Sequence, residues 1–288
     1  MKRLLLTIAT AALFVALTTL ASAQAPAAPA GPPKLQALII TGQHQHNWRG
    51  TTPLLRKALE DSGRFEVRVT EEFRGATPET LAPYDVVILN YSERGRAEFR
   101  WGAKTDQALV DYVRAGKGLV VYHFAAAAFD GWKEFEQMAA GNWRPNNGHH
   151  SAPHNYTVDV VDQEHPITKG LKLHLPQTND ELYANLRWQP AGTYHVLATA
   201  NDDHALYSST TAPYTRTDAR APQPLVGASA DEPMLWTADF GKGRVFTTAL
   251  GHDVEQIQTP TFITTFTRGV EWAATGAVTL PIPAALAK

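Results

Sequence analysis

The chain's apolar residues fall into short unbroken runs separated by amphipathic stretches. Leu35–Thr41 (LQALIIT), Asp85–Asn90 (DVVILN) and Leu119–Tyr122 are continuous and rich in branched side chains, the pattern of strands covered on both faces. Phe65–Thr70 alternates as a half-buried strand does. Between them, Leu54, Leu55, Ala58 and Leu59 share one helical face, and so do Ala108, Leu109, Tyr112 and Val113. The first helix is expected to open at Thr51 or Thr52, with Pro53 at its first position, and to stop at Gly63. A short one follows Thr77-Pro78, and a third covers Lys104–Ala115 and ends at Gly116. Such alternation predicts an α/β fold built on a doubly wound parallel sheet.

Beyond residue 130 the periodicity weakens. Trp132–Ala140 reads as a helix, and Gly141–His154 (GNWRPNNGHHSAPH) as an ordered loop over a site. Tyr156–Val161 and Tyr194–Ala200 read as strands, with a turn at His165-Pro166 and more β structure after Asp180-Glu181. Ser208–Glu232 is a polar, Pro-rich excursion. Met234–Ala238 and Arg244–Ala249 flank a hairpin turn at Asp239–Gly243, and Thr261–Ala274 closes the fold as a helix. The second half is therefore an irregular, β-rich insertion on the sheet.

Residues 1–23 carry the marks of an export signal: Lys2-Arg3, the apolar core Leu4–Leu20, and the small-x-small ending Ala21-Ser22-Ala23. Cleavage after Ala23 would leave an Ala/Pro-rich spacer, 24–33, and one domain, 34–283, free in the periplasm or outside the cell with no membrane attachment. The sequence has no cysteine, which excludes thiol nucleophiles and thiolate metal ligands. A net charge of -2 with scattered basic residues argues against nucleic acid. No Walker loop, dinucleotide fingerprint or Gly-x-Ser-x-Gly elbow occurs, so no nucleotide cofactor and no serine nucleophile are expected. Oligomeric state stays open.

Histidine changes the picture. Leu119–Tyr122 ends at His123, and reactive groups in open α/β sheets collect beyond the carboxyl ends of the strands. His44 and His46 follow the first strand, and His252-Asp253 follows the last. Histidines on separate strand exits point to one shared site, because neutral imidazole both binds metals such as zinc and moves protons near neutral pH. His149, His150 and His154 lie in the loop. Adjacent side chains point apart, so at most one of the first pair should join His154 inward. Asp180-Glu181 offers a carboxylate. Trp48, Phe124, Trp132, Trp143 and Tyr183 lie beside these groups and would suit a sugar ring, or else pack the core.

The segments TGQHQHNWRGTTPLL (41–55), GLVVYHFAAAAF (118–129), HNYTVDVVDQEHPITKGL (154–171), DELYANL (180–186), EPMLWTADFGKGRVFTTALGHD (232–253) and FITTFTRGVEWAATGAVTLPIP (262–283) resemble the ThuA-like family, named for trehalose utilisation. The resemblance implies a flavodoxin-like sheet, similar to class I glutamine amidotransferases, in which His123 replaces the nucleophilic cysteine. Amidotransferase chemistry is thereby excluded. It also implies sugar metabolism, and maps the family's site onto His46, His123, His154, Glu181, His252 and Asp253. His44 and the His149-His150 pair depart from the commoner pattern.

The expectation is an exported enzyme, a lyase or hydrolase, acting on a disaccharide or glycoside, including a 3-keto form. A divalent metal ion, zinc or manganese, would sit among His46, His123, His154 and His252, with His123, Glu181 and Asp253 catalytic and Trp48, Phe124, Trp143 and Tyr183 contacting sugar. A carbohydrate-binding protein without turnover and a metal-independent glycosidase using Glu181 and Asp253 remain as alternatives.

Overall fold

The computed structural model describes residues 33–203 and 230–288. The expected signal peptide (1–23), nearly all of the 24–33 spacer, and most of Ser208–Glu232 lie outside the described residues. Among the described residues no helix is long and apolar enough to cross a membrane.

The continuous apolar runs become strands β1 (Leu35–Gly42), β3 (Val86–Tyr91) and β4 (Gly118–Tyr122), and β3 and β4 are buried throughout. With β2 (Phe65–Thr70) they pair parallel in the order β2-β1-β3-β4. The chain leaves β1 toward one edge and later leaves β3 toward the other. Right-handed crossovers then put the connecting helices on opposite faces and open a crevice at the carboxyl ends near β1 and β3.

Helix α1 (Trp48–Asp61) follows β1, α2 (Pro78–Leu81) packs on α3 (Ala103–Arg114), and α5 (Pro260–Thr275) lies beside α1 over β3 and β4. The closing helix has the ends its sequence calls for. The Thr259 hydroxyl accepts from Phe262 N–H at 3.2 Å, Pro260 fills the first turn, and Gly276 terminates it at φ +79.

The start of α1 differs from expectation. It begins at Trp48, where the Asn47 side chain caps it by accepting from Gly50 N–H at 3.1 Å. Pro53 thus lies inside the helix, and its missing donor falls on an exposed side where water can serve the Arg49 carbonyl.

After β4 comes α4 (Lys133–Ala139), then the short strands β5 (Gly141–Asn142) and β6 (His149–His150). Next are β7 (His154–Val160), β8 (His174–Asp180), and two more short strands, β9 (Tyr183–Ala184) and β10 (Arg187–Trp188). Strands β11 (Tyr194–Asn201), β12 (Asp231–Phe240) and β13 (Gly243–Thr248) complete the set. β13 joins β4 in parallel and extends the parallel block to five strands; β12, β11, β7 and β8 continue the sheet antiparallel. The change of sense is set by the tight turn at Gly241-Lys242, since two residues can link only antiparallel strands. β6 pairs with β9 outside the main sheet and folds the 141–154 segment over the strand exits.

Candidate functional site

Beyond β1 the backbone turns through Gly42 (φ +116) and Gln43 (φ +62) and delivers His44 and His46. His44 is buried and fully committed. The Asn90 amide donates to the Thr51 and Thr52 hydroxyls at 3.1 and 3.0 Å, which aims Asn90 Oδ1 at His44 Nε2, 2.9 Å away. His44 Nδ1 accepts the backbone N–H of His46 at 3.2 Å. Burial, reinforced by the neighbouring His46, pushes its pKa down to about 3, so the ring is neutral and acts as a clamp on the His46 backbone.

His123 follows β4 at φ +45, in the left-handed region that non-glycine residues avoid at a cost of about 1–3 kcal/mol. The turn aims the ring across the strand ends. Its Nδ1–H donates to the Ala249 carbonyl at 2.7 Å, so Nε2 carries a lone pair, and the Tyr183 hydroxyl donates to it at 2.9 Å. Burial lowers the His123 pKa to about 4, against the opposing pull of Glu181. A backbone carbonyl holding one ring nitrogen so that the other presents its lone pair is the arrangement metal-ligating histidines use.

Glu181 lies at the centre, only 6% exposed. His46 Nε2 and His123 Nε2 stand 3.8 and 3.7 Å from its Oε2, while His150 Nδ1 and His252 Nε2 stand 3.3 and 3.5 Å from its Oε1. Burial alone would raise its pKa; interaction with His123, His46 and His150 outweighs burial and holds the carboxyl well below the usual range. Among the described residues, Glu181 Oε2 and His46 Nδ1 are buried without a hydrogen-bond partner. One donor atom each from His46, His123 and Glu181 lie within 4.8 Å of one another. Two imidazoles and one carboxylate converging in this way form a donor set suited to a divalent transition metal.

Asp180 frames the centre. Buried at the end of β8, its carboxylate accepts from the backbone N–H groups of Gly251 (2.7 Å), His252 (2.9 Å) and Glu181 (3.0 Å) and from Gln177 Nε2 (2.8 Å). Burial raises its pKa to about 6 against the effect of these donors. The Tyr122 hydroxyl donates to the Gly251 carbonyl, so both sides of the 251–252 turn are tied to the sheet.

Of the predicted aromatics, the Phe124 ring lies 4.4 Å from that of His46, and Tyr183 lies 4.3 Å from His123. Trp143 lies 4.9 Å from Tyr183 and 5.8 Å from His150. Trp48 is elsewhere: it starts α1, with the Arg49 guanidinium 3.9 Å from its ring. Trp132 packs on Phe129 and Phe135 in the core.

Two expected polar members stand apart from Glu181. His154 donates from Nδ1 to the Ala152 carbonyl at 2.9 Å and lies 5.1 Å from the Tyr156 ring, a local contact that satisfies it at the start of β7. Asp253 Oδ1 accepts from Asn47 Nδ2 (2.9 Å) and Val254 N–H (2.7 Å), tying the turn after β13 to the start of α1. His150 takes the place expected of His154. The β6–β9 pairing explains it, because neighbours on a strand face opposite ways: His150 meets Glu181, and His149 meets Asp202 at 3.2 Å. Asn90, not singled out in the sequence, acts through its side chain on Thr51, Thr52 and His44, and Asp180, noted only as part of a carboxylate pair, acts on backbone N–H groups; neither contact leaves a spacing signal.

A family model described as trehalose utilisation (ThuA) matches residues 36–273. A ThuA-like protein from Parabacteroides merdae is 30% identical, with 89% of this chain and 95% of that one covered and a TM-score of 0.73. A ThuA-like protein from Bacteroides uniformis, 20% identical with 88% and 98% coverage and a TM-score of 0.62, shares the fold. No curated protein matches the sequence.

Proposed function

The chain belongs to the ThuA family, and from that premise we propose that it is an exported carbohydrate-processing enzyme, a lyase or hydrolase that holds a divalent metal ion at His46, His123 and Glu181. The observation that carries the reading is the buried Glu181 Oε2, without a hydrogen-bond partner among the described residues and faced by His46 Nε2 at 3.8 Å and by the presented lone pair of His123 Nε2 at 3.7 Å. Buried polar atoms without partners cost roughly 1–3 kcal/mol each, and a bound cation would satisfy the carboxylate oxygen. The strand order β2-β1-β3-β4-β13 supports the finer reading of the fold as flavodoxin-like. Export is part of the proposal, supported by the basic start, the apolar core and the Ala21-Ser22-Ala23 ending.

A divalent ion at these ligands would polarise a carbonyl or hydroxyl oxygen of the sugar. The protein's own residues would do the rest. Phe124 and Trp143 offer apolar faces to a pyranose ring. His252, half-buried, has a pKa lowered by burial and is neutral near pH 7, so it can take a proton from the carbon beside a keto group. His150 Nδ1, whose hydrogen goes to the Ser151 carbonyl at 2.8 Å, lies 3.3 Å from Glu181 Oε1, and its proximity helps hold that carboxyl below the usual range. The Tyr183 hydroxyl, held at His123, stands ready to donate to a departing glycosidic oxygen. Elimination or hydrolysis at that bond would follow.

The test is metal content, by elemental mass spectrometry on the mature protein purified without a histidine tag. We expect about one equivalent of zinc, manganese or a similar ion, lost in His123→Ala and Glu181→Gln and kept in His154→Ala. A metal-free protein whose variants behave like the parent would overturn the metal assignment. Tight sugar binding with no product from any keto-glycoside would replace the enzyme by a binding protein.

A further inference from the structure

Next to the histidine centre is a cavity of about 800 Å³, within the usual range for a small-molecule site, with Trp143 in its wall. Three arginines line it. Arg100 is paired with Glu93 (3.3 Å) and with Asp106 (3.3 Å). Arg96 lies on the Phe99 ring at 5.0 Å. Arg94 is different. It is half-buried, its guanidinium is 5.9 Å from the Phe124 ring and 5.6 Å from the Trp143 ring, and it makes no ion pair and no side-chain hydrogen bond among the described residues. Those two rings are the ones that touch His46 and Tyr183, so Arg94 forms the next layer outward from the centre. Its charge also reaches the Tyr183 hydroxyl, where it opposes the rise in the phenol's pKa.

A guanidinium presents five donors in a planar fork, and a planar oxyanion satisfies two of them at once. Stacking between aromatic faces compensates only part of the lost hydration, at roughly 0.5–1 kcal/mol where the site is open. The carboxylates in the same wall are already engaged. Glu93 accepts from Phe129 N–H at 3.0 Å and from Arg100, and Asp130 stands 3.3 Å from Arg144. They leave Arg94 unneutralised, yet they would repel a dianion more than a monoanion. A carboxylate therefore fits better than a phosphate.

We propose that Arg94 anchors a carboxylate on the substrate, so that the cleft takes an acidic sugar, as in a uronic acid unit, in preference to a neutral one. This rests on the reading of the cleft as a sugar site and adds the class of sugar. The carboxylate would lie in the cavity beside Trp143, with the ring it belongs to extending toward His123 and His252.

Calorimetric titration of the mature protein with methyl β-D-glucuronide, methyl β-D-glucoside and glucose 6-phosphate tests it. The glucuronide is expected to bind at least about tenfold tighter than the glucoside, as a bidentate charged pair would give. Arg94→Gln should remove that advantage and leave glucoside binding within about twofold, while Arg94→Lys, with the charge but not the fork, should restore part of it. Equal binding of glucuronide and glucoside, or an Arg94→Gln effect on both alike, overturns the carboxylate anchor and leaves the sugar site standing. Preference for glucose 6-phosphate over the glucuronide also overturns it, in favour of a phosphosugar site. Binding of none of the three overturns the sugar reading and this proposal together.

Discussion

Nε2 of His123 lies 3.7 Å from Oε2 of Glu181, too far for a hydrogen bond, although both atoms are buried and face each other. His46 stands in the same relation to that oxygen at 3.8 Å. The gaps are not those of a hydrogen-bonded pair, since His123 carries its hydrogen on Nδ1 and faces the carboxylate with a lone pair. They stay open because each ring is held from behind: His123 by the Ala249 carbonyl, and the His46 backbone by His44. The spacing is preorganised for a third atom.

Tyr183→Phe separates the metal role of His123 from the proton role of the phenol. A metal must displace the Tyr183 hydroxyl from His123 Nε2, a bond worth about 1 kcal/mol net. Removing the hydroxyl should raise metal affinity roughly fivefold in a competition titration against a chelator. Turnover of any accepted glycoside should fall by about 10²-fold or more, as expected for loss of a positioned acid. Weaker metal binding in the variant would contradict the assignment of Nε2 as ligand.

Asp180→Asn should loosen the 251–252 turn and the Glu181 backbone while leaving the ligand side chains in place. The amide has one acceptor oxygen for four donors and turns an NH₂ group toward N–H partners. We expect a loss of about 1–3 kcal/mol in urea unfolding. An unchanged midpoint would mean that the bracket is not holding the turn.

Gly251→Ala should be worse than an ordinary glycine substitution. The residue sits at φ +95, and a Cβ there would come within 2.5 Å of Phe262 Cε2 and 2.8 Å of Ile257 Cγ2. Backbone strain and overpacking together should cost at least about 2 kcal/mol. A thermal midpoint within a degree of the parent would refute the fit.

Acid should destabilise the metal-free protein between about pH 6.5 and 4. His44 and His123 have folded pKa values near 3 and 4 against 6.5 when unfolded, so the unfolded chain binds more protons in this window and stability falls as pH falls. Asp180, raised to about 6, acts in the opposite direction, while His165, lowered by burial to about 4, adds to the fall. In the presence of a chelator and at fixed ionic strength, urea midpoints should drop steadily over this range. His44→Gln keeps a donor for Asn90 and removes one titrating ring. Its slope should be shallower by about 1.4 kcal/mol per pH unit, the value of one proton. An unchanged slope would show that His44 is not held neutral.

What was legible in the chain has a local cause. Run length and branched side chains marked β1, β3 and β4, because burial on both faces leaves no polar alternation. The closing helix, expected at Thr261–Ala274, lies within one residue of α5 at each end, and the structure shows Thr259, Pro260 and Gly276 setting those ends through caps satisfied within one turn. The start of α1 was misplaced because Thr51, Thr52 and Pro53 imitate a cap that Asn47 provides. Strand exits also identified His46, His123 and His252, since carboxyl ends are where open sheets gather chemistry.

Which imidazoles meet Glu181 was decided only in three dimensions. His150 rather than His154 faces it because β6 pairs with β9, a pairing that two residues of strand cannot announce. The lone pair on His123 Nε2 depends on the Ala249 carbonyl, 126 positions away in the chain. Among the described residues Arg94 has no ion-pair partner because Glu93, its neighbour in sequence, is taken by Arg100 and the Phe129 backbone. Residue type and spacing determined that histidines would collect at one end of a parallel sheet. The proton each carries and the partner it faces come from long-range packing, because an imidazole's state is set by what lies within about 3 Å of its two nitrogens.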